Sequence, residues 1–367
     1  MSSQAGLYLG LMSGTSLDGV DAVLARFPSP TQVEVLAHCH QPFPTELRSE
    51  LLALNSFGDN EAHRMALAAN GVARSYAAVA AEALQGIAEP VTALGAHGQT
   101  IRHQPLAFDG CGYSLQLLNG SLLAELSGID VICDFRNRDL AAGGQGAPLV
   151  PAFHRALFGR TDADVAVLNI GGFSNLSLLV AAGQTTGFDC GPGNCLMDLW
   201  IAEQRGLAYD ADGAWAASGV VLPGLLKAML AEPWFALPPP RSTGRDLFSL
   251  DWLLGHVRGH AANARAEDVQ ATLLELTVET IAPHVGSTIE LLVCGGGALN
   301  GQLMRRLQAR LPARQVLSTA ARGLPPMQVE AAAFAWLAQR FVQREPGNLE
   351  AVTGARGPRI LGALYPR

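Results

Sequence analysis

The first segment that could carry out chemistry is a Gly- and hydroxyl-rich turn close to the N-terminus. Residues 13–19, Ser-Gly-Thr-Ser-Leu-Asp-Gly, join two apolar runs at residues 7–12 and 20–27. Apolar runs separated by such residues predict a β-hairpin. Successive backbone N–H groups in the turn would form a concave anion site, to which the Ser and Thr hydroxyls add donors. The turn therefore indicates a phosphate ligand. An ordinary hairpin with a polar tip is the alternative, because the spacing matches neither GxGxxG nor the Walker pattern.

A second turn of the same design lies in the other half of the chain. An apolar run at residues 164–170 is followed by Gly171 and Gly172, and the chain returns at residues 176–180. We interpret the two turns as a duplicated fold, with one copy in each of two domains. A nucleotide in the cleft between the copies would then have its phosphates held from both sides. The alternative is that any α/β protein contains several Gly turns.

Two further candidates come directly after strand-like segments. Asp189 lies at the predicted end of a short strand, before a helix that Asn194 could cap. Ligands of open α/β sheets bind outside the carboxyl ends of the strands, so Asp189 is predicted to face a ligand. The alternative is a carboxylate that only stabilises a turn. A strand at residues 290–294 leads into a triple glycine and a helix, which would seat the base and ribose of a nucleotide. That glycine run comprises Gly295, Gly296 and Gly297.

The totals exclude several classes of function. A length of 367 residues predicts two domains, and 49% hydrophobic with 16% charged residues predicts a large core. A net charge of -7 argues against nucleic-acid binding, and no apolar run approaches a membrane span. The six cysteines form no zinc-like pattern, and the N-terminal residues do not resemble a secretory leader. We expect a cytoplasmic protein without nucleic-acid or membrane partners.

The predicted elements place these candidates in two domains. Helical periodicity at residues 61–87, 266–285 and 328–341 predicts long helices, and residues 92–96 predict a strand that ends in a polar loop at 97–103. A charged and then Gly-rich segment, residues 134–148, is the best boundary. We predict domain I at residues 1–138 with a return segment at 335–367, and domain II at 139–334.

Together these segments resemble a known family. They are similar to the superfamily of actin, hexokinase and the sugar kinases, and more closely to the anhydro-N-acetylmuramic acid kinase family of bacterial cell-wall recycling. The similarity is spread over nearly the whole chain. Its segments are residues 10–21, 98–103, 134–136, 142–151, 169–175, 187–194, 242–245 and 294–298.

The resemblance implies a fold and a reaction. The expected fold is α/β, a duplicated actin-like (ribonuclease H-like) two-domain ATPase fold with an interdomain cleft. The expected enzyme is a phosphotransferase that uses ATP and Mg²⁺. It converts 1,6-anhydro-N-acetylmuramic acid and water to N-acetylmuramic acid 6-phosphate and ADP, and cleaves the anhydro ring. The alternative is another actin-like sugar kinase or an actin-like ATPase.

The resemblance also assigns roles to residues. Asp189 falls on the catalytic aspartate. Arg136 is the first candidate to bind the lactyl carboxylate of the sugar and Arg102 the second, each with an interdomain salt bridge as the alternative. His97, Gln99 and Glu330 are candidate sugar contacts, each with a structural hydrogen-bonding role as the alternative. The expected ATP-binding residues are those of the first phosphate loop and the Gly turns: Gly14, Thr15, Ser16, Leu17, Asp18, Gly19, Val20, Asp21, Gly171, Gly172, Gly295, Gly296 and Gly297.

Two positions depart from the pattern that the resemblance implies. The superfamily usually has an early Asp that helps to hold the metal, and Leu11 or Met12 takes its place here. Asp18, Asp21 or another carboxylate would then organise Mg²⁺. Position 241 is Arg where Lys is expected, which keeps the charge and changes the geometry. The oligomeric state is left open, with a homodimer among the alternatives.

Overall fold

The computed structural model describes residues 6–238, 241, 243–244 and 247–367. Ser242 and Arg245 of the predicted 242–245 motif lie outside the described residues. The chain forms two compact units. One runs to Leu157 and also contains Gln328–Arg367, and the other is Phe158–Met327. Within the described ranges, no helix is long and apolar enough to cross a membrane.

The elements are numbered in chain order. The strands are β1 (Leu7–Met12), β2 (Gly19–Ser29), β3 (Gln32–Pro42), β4 (Val91–Ala96), β5 (Gln99–Pro105), β6 (Gly112–Leu117), β7 (Val131–Cys133), β8 (Val165–Ile170), β9 (Phe173–Leu179), β10 (Thr185–Pro192), β11 (Glu290–Cys294), β12 (Gln315–Ser318) and β13 (Ala363–Tyr365). The helices are α1 (Thr45–Ala53), α2 (Glu61–Ala83), α3 (Gly120–Ser127), α4 (Asn137–Ala141), α5 (Val150–Phe158), α6 (Cys195–Arg205), α7 (Ala214–Ala217), α8 (Pro223–Leu230), α9 (Leu250–His260), α10 (Ala266–Ile281), α11 (Gly301–Arg310), α12 (Val329–Val342) and α13 (Glu350–Thr353).

The two units share one sheet topology. In the first unit the order is β13-β7-β4-β1-β2-β3, and in the second it is β10-β9-β8-β11-β12. Each sheet starts with an antiparallel pair, β1–β2 or β8–β9, to which a third antiparallel strand is added. Two parallel strands follow on the other side of the first strand, β4 and β7 or β11 and β12. This repeated order confirms the predicted duplicated actin-like α/β fold.

The central strands are apolar because both faces of each sheet are covered. All six residues of β8 and all five of β11 are buried, as expected for strands that lie between two layers. In the first unit, α12 approaches the sheet so closely that backbone meets backbone. A Cβ at Gly10 would lie 1.8 Å from the Ala331 carbonyl oxygen, and one at Gly95 would lie 2.1 Å from that of Phe334. This contact fixes the first turn of α12, which carries Glu330.

The predicted polar loop at residues 97–103 was wrong. Residues Gln99–Pro105 form β5, which pairs with β6 in a separate two-stranded sheet. Gln99 and Ile101 are buried while Thr100 and Arg102 are more accessible, so a period of two is present. The sequence did not show this alternation, because Gln99, one of the two buried positions, is polar.

The compact units divide at different residues from the limits predicted at 138–139 and 334–335. Residues 139–157 lie in the first unit because buried Asp139 accepts hydrogen bonds from the C-terminal segment, at 2.7 Å from Asn348 Nδ2 and 2.8 Å from Thr353 Oγ1. All of α12 joins the same unit, for the packing reason given above.

Candidate active site

The first Gly turn connects β1 to β2, and Ser13 anchors it to the core of the first unit. The Ser13 hydroxyl is buried and lies 2.7 Å from the Tyr76 hydroxyl of α2. The Leu17 N–H closes the turn on the Gly14 carbonyl at 3.2 Å. Leu17 has a φ of 57°, in the left-handed region that is uncommon for a side chain of this kind. The hydroxyl of Ser13 therefore supports the turn, and those of Thr15 and Ser16 are the more accessible ones.

The residues of this turn differ in what they can offer a ligand. The side chains of Leu17 and Val20 are buried in the core, so only their backbone groups could contact a phosphate. A Cβ at Gly19 would lie 2.2 Å from the Gln41 carbonyl oxygen, which explains that glycine by strand packing. Gly14 is different, because the nearest atom to its Cβ position is Ser16 Oγ at 3.5 Å. The bare face of Gly14 is thus open to a ligand.

Gln99 and His97 lie directly behind the turn. The side chain of Gln99 is fully buried, and its Nε2 donates to the Gly14 carbonyl at 3.1 Å. His97 Nδ1 lies 3.3 Å from the Ser13 carbonyl oxygen. Both side chains therefore support the backbone of the first Gly turn.

His97 also contacts Arg136. Arg136 donates to His97 Nε2 through Nη2 at 2.8 Å and to the Gly146 carbonyl through Nη1 at 2.8 Å. Because a guanidinium only donates, His97 Nε2 accepts and Nδ1–H donates to Ser13. Burial and the Arg136 charge hold the pKa of His97 well below its ordinary value, so the ring is neutral.

Arg136 and Glu330 form the charged part of this group. Burial lowers the pKa of the Arg136 guanidinium to about 10, and the negative charges of Glu330 and Asp139 oppose that shift. Glu330 lies in the first turn of α12, and Phe334 one turn later packs against the His97 ring at a centroid distance of 4.8 Å. The structure thus brings together three of the four predicted sugar contacts, His97, Arg136 and Glu330.

Arg102, the second candidate for the substrate carboxylate, already has partners. It forms a two-pronged ion pair with Glu61 at 2.7 and 3.1 Å and lies over the Phe57 ring. Its Nη2 also donates to the Leu54 and Ser56 carbonyls. These contacts support a structural role for Arg102, but its ion pair lies within the first unit and is not the predicted interdomain salt bridge.

The second Gly turn connects β8 to β9 and packs against the start of α6. The carbonyl of Gly171 accepts the Asn194 N–H at 2.8 Å, and that of Gly172 accepts the Cys195 N–H at 3.0 Å. The predicted capping role of the Asn194 side chain was wrong, because its Nδ2 donates to the Ile170 carbonyl instead. The Gly carbonyls thus pair the first two N–H groups at the start of α6, which have no partner within the helix. The Cβ positions of Gly171 and Gly172 meet nothing closer than 3.8 Å.

The three glycines after β11 are not equivalent. Gly295 has a φ of 75°, and a Cβ there would lie 2.4 Å from Asn169 Oδ1. A Cβ at Gly297 would lie 2.4 Å from Ile170 Cγ2. Gly296 is exposed, with Asn194 Nδ2 at 3.7 Å as the nearest atom to its Cβ position. Packing explains Gly295 and Gly297, whereas Gly296 has open space for a flat ring.

Asp189 lies at a β-bulge inside β10, which continues to Pro192 rather than ending at Asp189. The bulge breaks the pairing with β9 and turns the backbone at this point. One carboxylate oxygen, Oδ2, accepts the Thr243 N–H at 3.0 Å. Burial raises the pKa of the Asp189 carboxyl to about 6, against the Thr243 N–H and the Arg241 charge, which lower it.

The two carboxylates considered for Mg²⁺ differ in their surroundings. Asp18 is exposed on the first Gly turn and accepts from Ser16 Oγ at 2.8 Å. Asp21 is shared by His38 and His40, each at 3.2 Å. No group of three or more His, Cys, Asp or Glu that could hold a metal is found among residues 6–238, 241, 243–244 and 247–367. This donor set fits an ion that arrives with nucleotide phosphates, because Mg²⁺ bound in that way needs only one or two carboxylates.

Known proteins that are similar to this chain identify its family. The family model for anhydro-N-acetylmuramic acid kinase matches residues 6–367. The chain is 60% identical to the anhydro-N-acetylmuramic acid kinase of Variovorax paradoxus, over 98% of this chain and 99% of that protein. It is 53% identical to that of Pseudomonas putida, over 98% and 99% of the two chains. The chain belongs to the anhydro-N-acetylmuramic acid kinase family.

Membership of the anhydro-N-acetylmuramic acid kinase family confirms the predicted resemblance. It also confirms the predicted class of reaction, phosphoryl transfer to a sugar by a kinase, over the alternative of an actin-like ATPase. Among solved structures, a ROK family glucokinase from Streptomyces griseus in complex with glucose and AMPPNP covers 91% of this chain and all of its own. Its TM-score is 0.40 at 14% identity.

Sequence reasoning missed the residues that hold the site in place. Tyr76 lies in α2, and its hydroxyl contact with Ser13 has no signal in the sequence. Thr243 belongs to the segment 242–245 that carries the resemblance, but it contacts Asp189 through its backbone N–H, which no residue type reveals.

The surroundings of Gly296 and Gly297 predict different effects for an alanine at each position: a higher KM for ATP at Gly296 and a lower stability at Gly297. Gly296→Ala should leave the free energy of unfolding nearly unchanged but raise the KM for ATP about tenfold or more, since the methyl group enters the space left for the nucleotide. Gly297→Ala should destabilise the protein by about 1–3 kcal/mol through overpacking against Ile170. Thermal unfolding and steady-state kinetics of both variants measure this contrast. An unchanged KM for ATP in Gly296→Ala would contradict the nucleotide assignment.

Proposed function

We propose that this chain is an ATP-dependent kinase of 1,6-anhydro-N-acetylmuramic acid that also opens the anhydro ring. The products are N-acetylmuramic acid 6-phosphate and ADP, as in cytoplasmic recycling of cell-wall sugars. Family membership supports the substrate class. The observation that carries the mechanism is Asp189, a partly buried carboxylate at a strand bulge with a pKa of about 6.

The substrate determines what Asp189 must do. The O6 oxygen of an anhydro sugar is tied to C1, so there is no free hydroxyl to deprotonate. Asp189 takes a proton from a water molecule whose oxygen forms a bond to C1. The C1–O6 bond breaks, O6 takes the γ-phosphoryl group, and ADP leaves with the electron pair of the cleaved phosphoanhydride bond. A base with a pKa near the working pH suits this role, since it is both ionised and basic enough to accept a proton.

The Gly turns supply the phosphate contacts in this proposal. The open faces of Gly14, Gly171 and Gly172 let backbone approach an anion, and the Thr15 and Ser16 hydroxyls add donors. Gly296 seats the base and ribose. Asp18 is the better placed of the two carboxylates to hold Mg²⁺, because Asp21 is shared by two histidines. When bound, Mg²⁺ would neutralise phosphate charge.

The group of His97, Arg136 and Glu330 supplies the sugar contacts. Arg136 has a desolvated guanidinium whose nearest hydrogen-bond partners, His97 and the Gly146 carbonyl, are neutral. A substrate carboxylate would add to the negative charge that Glu330 and Asp139 already direct at Arg136. Gln99 contributes by fixing the Gly14 carbonyl, since its side chain is fully buried.

The product formed in heavy-oxygen water tests the proposed function. The purified chain, given ATP and anhydro-N-acetylmuramate, should release ADP and a sugar phosphate that carries the label in the hydroxyl at C1 and none in the phosphate. Mass spectrometry of the sugar and the phosphate measures both positions. N-acetylmuramate and glucose serve as control acceptors, and turnover on glucose but not on the anhydro sugar would favour the alternative of another actin-like sugar kinase.

Removal of the Asp189 charge should slow the reaction strongly and leave the fold intact. Asp189→Asn should lower kcat by about 10²- to 10⁴-fold, the usual contribution of a general base, while ATP affinity is retained. The folded state holds the Asp189 proton more tightly than the unfolded state, so stability is lost as the pH rises from the ordinary carboxyl range through about 6. The variant should therefore be at least as stable as the wild type above that pH.

The same ionisation should appear in the pH profile, because the base works only when deprotonated. For the wild type we expect kcat/KM to fall below about pH 6 and to level off above it. A kcat of Asp189→Asn close to that of the wild type would remove this residue from the mechanism.

Arg136 should affect one substrate selectively. Arg136→Ala should raise the KM for the sugar about 10- to 100-fold through loss of a charge-assisted contact, with a much smaller change for ATP. Arg102→Ala is the matched control, because its ion pair with Glu61 supports structure. It should lower the melting temperature and leave the sugar KM unchanged. Equal effects of Arg136→Ala on both substrates would exclude Arg136 as the carboxylate ligand.

A further inference from the structure

Arg241 is a buried cation with an unusual set of neighbours. Its side chain is 8% exposed and lies over the Trp234 ring at 4.6 Å. It donates four hydrogen bonds. The acceptors are the Asp189 carbonyl at 3.1 Å, the Phe235 carbonyl at 2.7 Å, the Leu237 carbonyl at 2.8 Å and His284 Nε2 at 2.9 Å.

These contacts join the segment around Arg241 to the bulge that carries Asp189. The Asp189 N–H donates to the Arg241 carbonyl at 3.0 Å, and Arg241 Nε donates back to the Asp189 carbonyl. Two residues later, the Thr243 N–H reaches Asp189 Oδ2. Arg241 and Thr243 therefore hold both the backbone and the carboxylate of Asp189, and the Arg241 side chain is itself bound to four acceptors.

We propose that Arg241 is a positioning residue for the reaction: it helps to hold the Thr243 N–H on Asp189 Oδ2 and so directs Oδ1, which has no hydrogen-bond partner among the described residues, to the proton of the attacking water. This inference rests on the proposed function of Asp189. Arg241 itself touches neither substrate nor reacting atoms in this role. A Lys side chain has one ammonium group and cannot direct donors to four separate acceptors in a plane.

The guanidinium also has an electrostatic effect on Asp189. Its four hydrogen-bond partners are neutral, so its charge acts on the nearby carboxylate and lowers the pKa of Asp189 against the effect of burial. Burial in turn lowers the pKa of Arg241. Geometry and charge are thus two separable contributions of one residue.

Among the described residues, His284 and Cys190 are titratable groups that lie close to Asp189 or Arg241. Burial and the Arg241 charge lower the pKa of His284, and its Nε2 accepts from Arg241 as a neutral ring does. Burial and the Asp189 charge raise the pKa of the Cys190 thiol, so the thiol stays protonated at the pH where Asp189 ionises.

Two substitutions separate geometry from charge. Arg241→Met removes both, and we expect kcat to fall about 10- to 100-fold, as for a misplaced catalytic group, with the acid limb of kcat/KM shifted to higher pH. Arg241→Lys keeps the charge, so the acid limb should stay near that of the wild type although kcat still falls. The KM for ATP should change little in either variant. Added guanidinium ion at non-denaturing concentration should restore part of the turnover of Arg241→Ala.

Two controls accompany these variants. Arg306→Met loses an ion pair with Glu275 in the same unit, so it should lose stability with an unchanged kcat and pH profile. His284→Gln retains an acceptor for Arg241 and cannot titrate, so the acid limb should keep its midpoint.

The outcomes distinguish this inference from the proposed function. A folded Arg241→Met with the kcat and acid limb of the wild type would overturn the positioning role. If Arg241→Met does not fold, a wild-type kcat in Arg241→Lys would overturn it equally. Failure of the wild type to turn over the sugar, or full activity of Asp189→Asn, would instead overturn the proposed function.

Discussion

Direct contact of backbone with backbone is the constraint on which both units depend. In the first unit α12 rests on Gly10 and Gly95, and any Cβ there would overlap a helix carbonyl. In the second unit a Cβ at Gly193 would lie 2.5 Å from the Gly171 carbonyl oxygen. Such packing leaves no flexible side chain to absorb a shift. This close packing fixes the ends of β1, β8 and β11, and the glycines with open Cβ positions lie next to those ends.

Each unit contains a charged group whose ionised form is disfavoured by burial. Arg136 has a lowered pKa and Asp189 a raised one, and burial is the main cause in both, although the charges of Glu330 and Asp139 oppose the shift of Arg136 and that of Arg241 opposes the shift of Asp189. Desolvation of a charged group costs stability. Groups of this kind cluster at functional sites, where a bound ligand or a transferred proton completes them. The roles proposed for the Asp189 carboxylate and the Arg136 guanidinium are therefore complementary, one toward a proton and one toward an anion.

Sequence alone predicted the parts that depend on pattern. The alternation of apolar runs and Gly turns gave the duplicated topology, and the helix at residues 328–341 and the strand at 290–294 agree closely with α12 and β11. It could not predict β5, because the buried Gln99 is polar and the strand belongs to a small separate sheet. It also treated the triple glycine as a unit, whereas packing explains Gly295 and Gly297 and leaves only Gly296 open. The Thr243 contact is made by a backbone N–H, so the residue type at position 243 does not reveal it.

The C-terminal return segment has a consequence for synthesis on the ribosome. The second unit is one continuous stretch, Phe158–Met327, and all of its strands are translated before α12. The first unit lacks both the helix that covers Gly10 and Gly95 and the edge strand β13 until residues 329–365 have been translated. Its sheet therefore has one apolar face uncovered while the whole of the second unit is being made. Uncovered apolar surface of this kind is what chaperones bind in nascent chains, and here it belongs to the unit that is begun first.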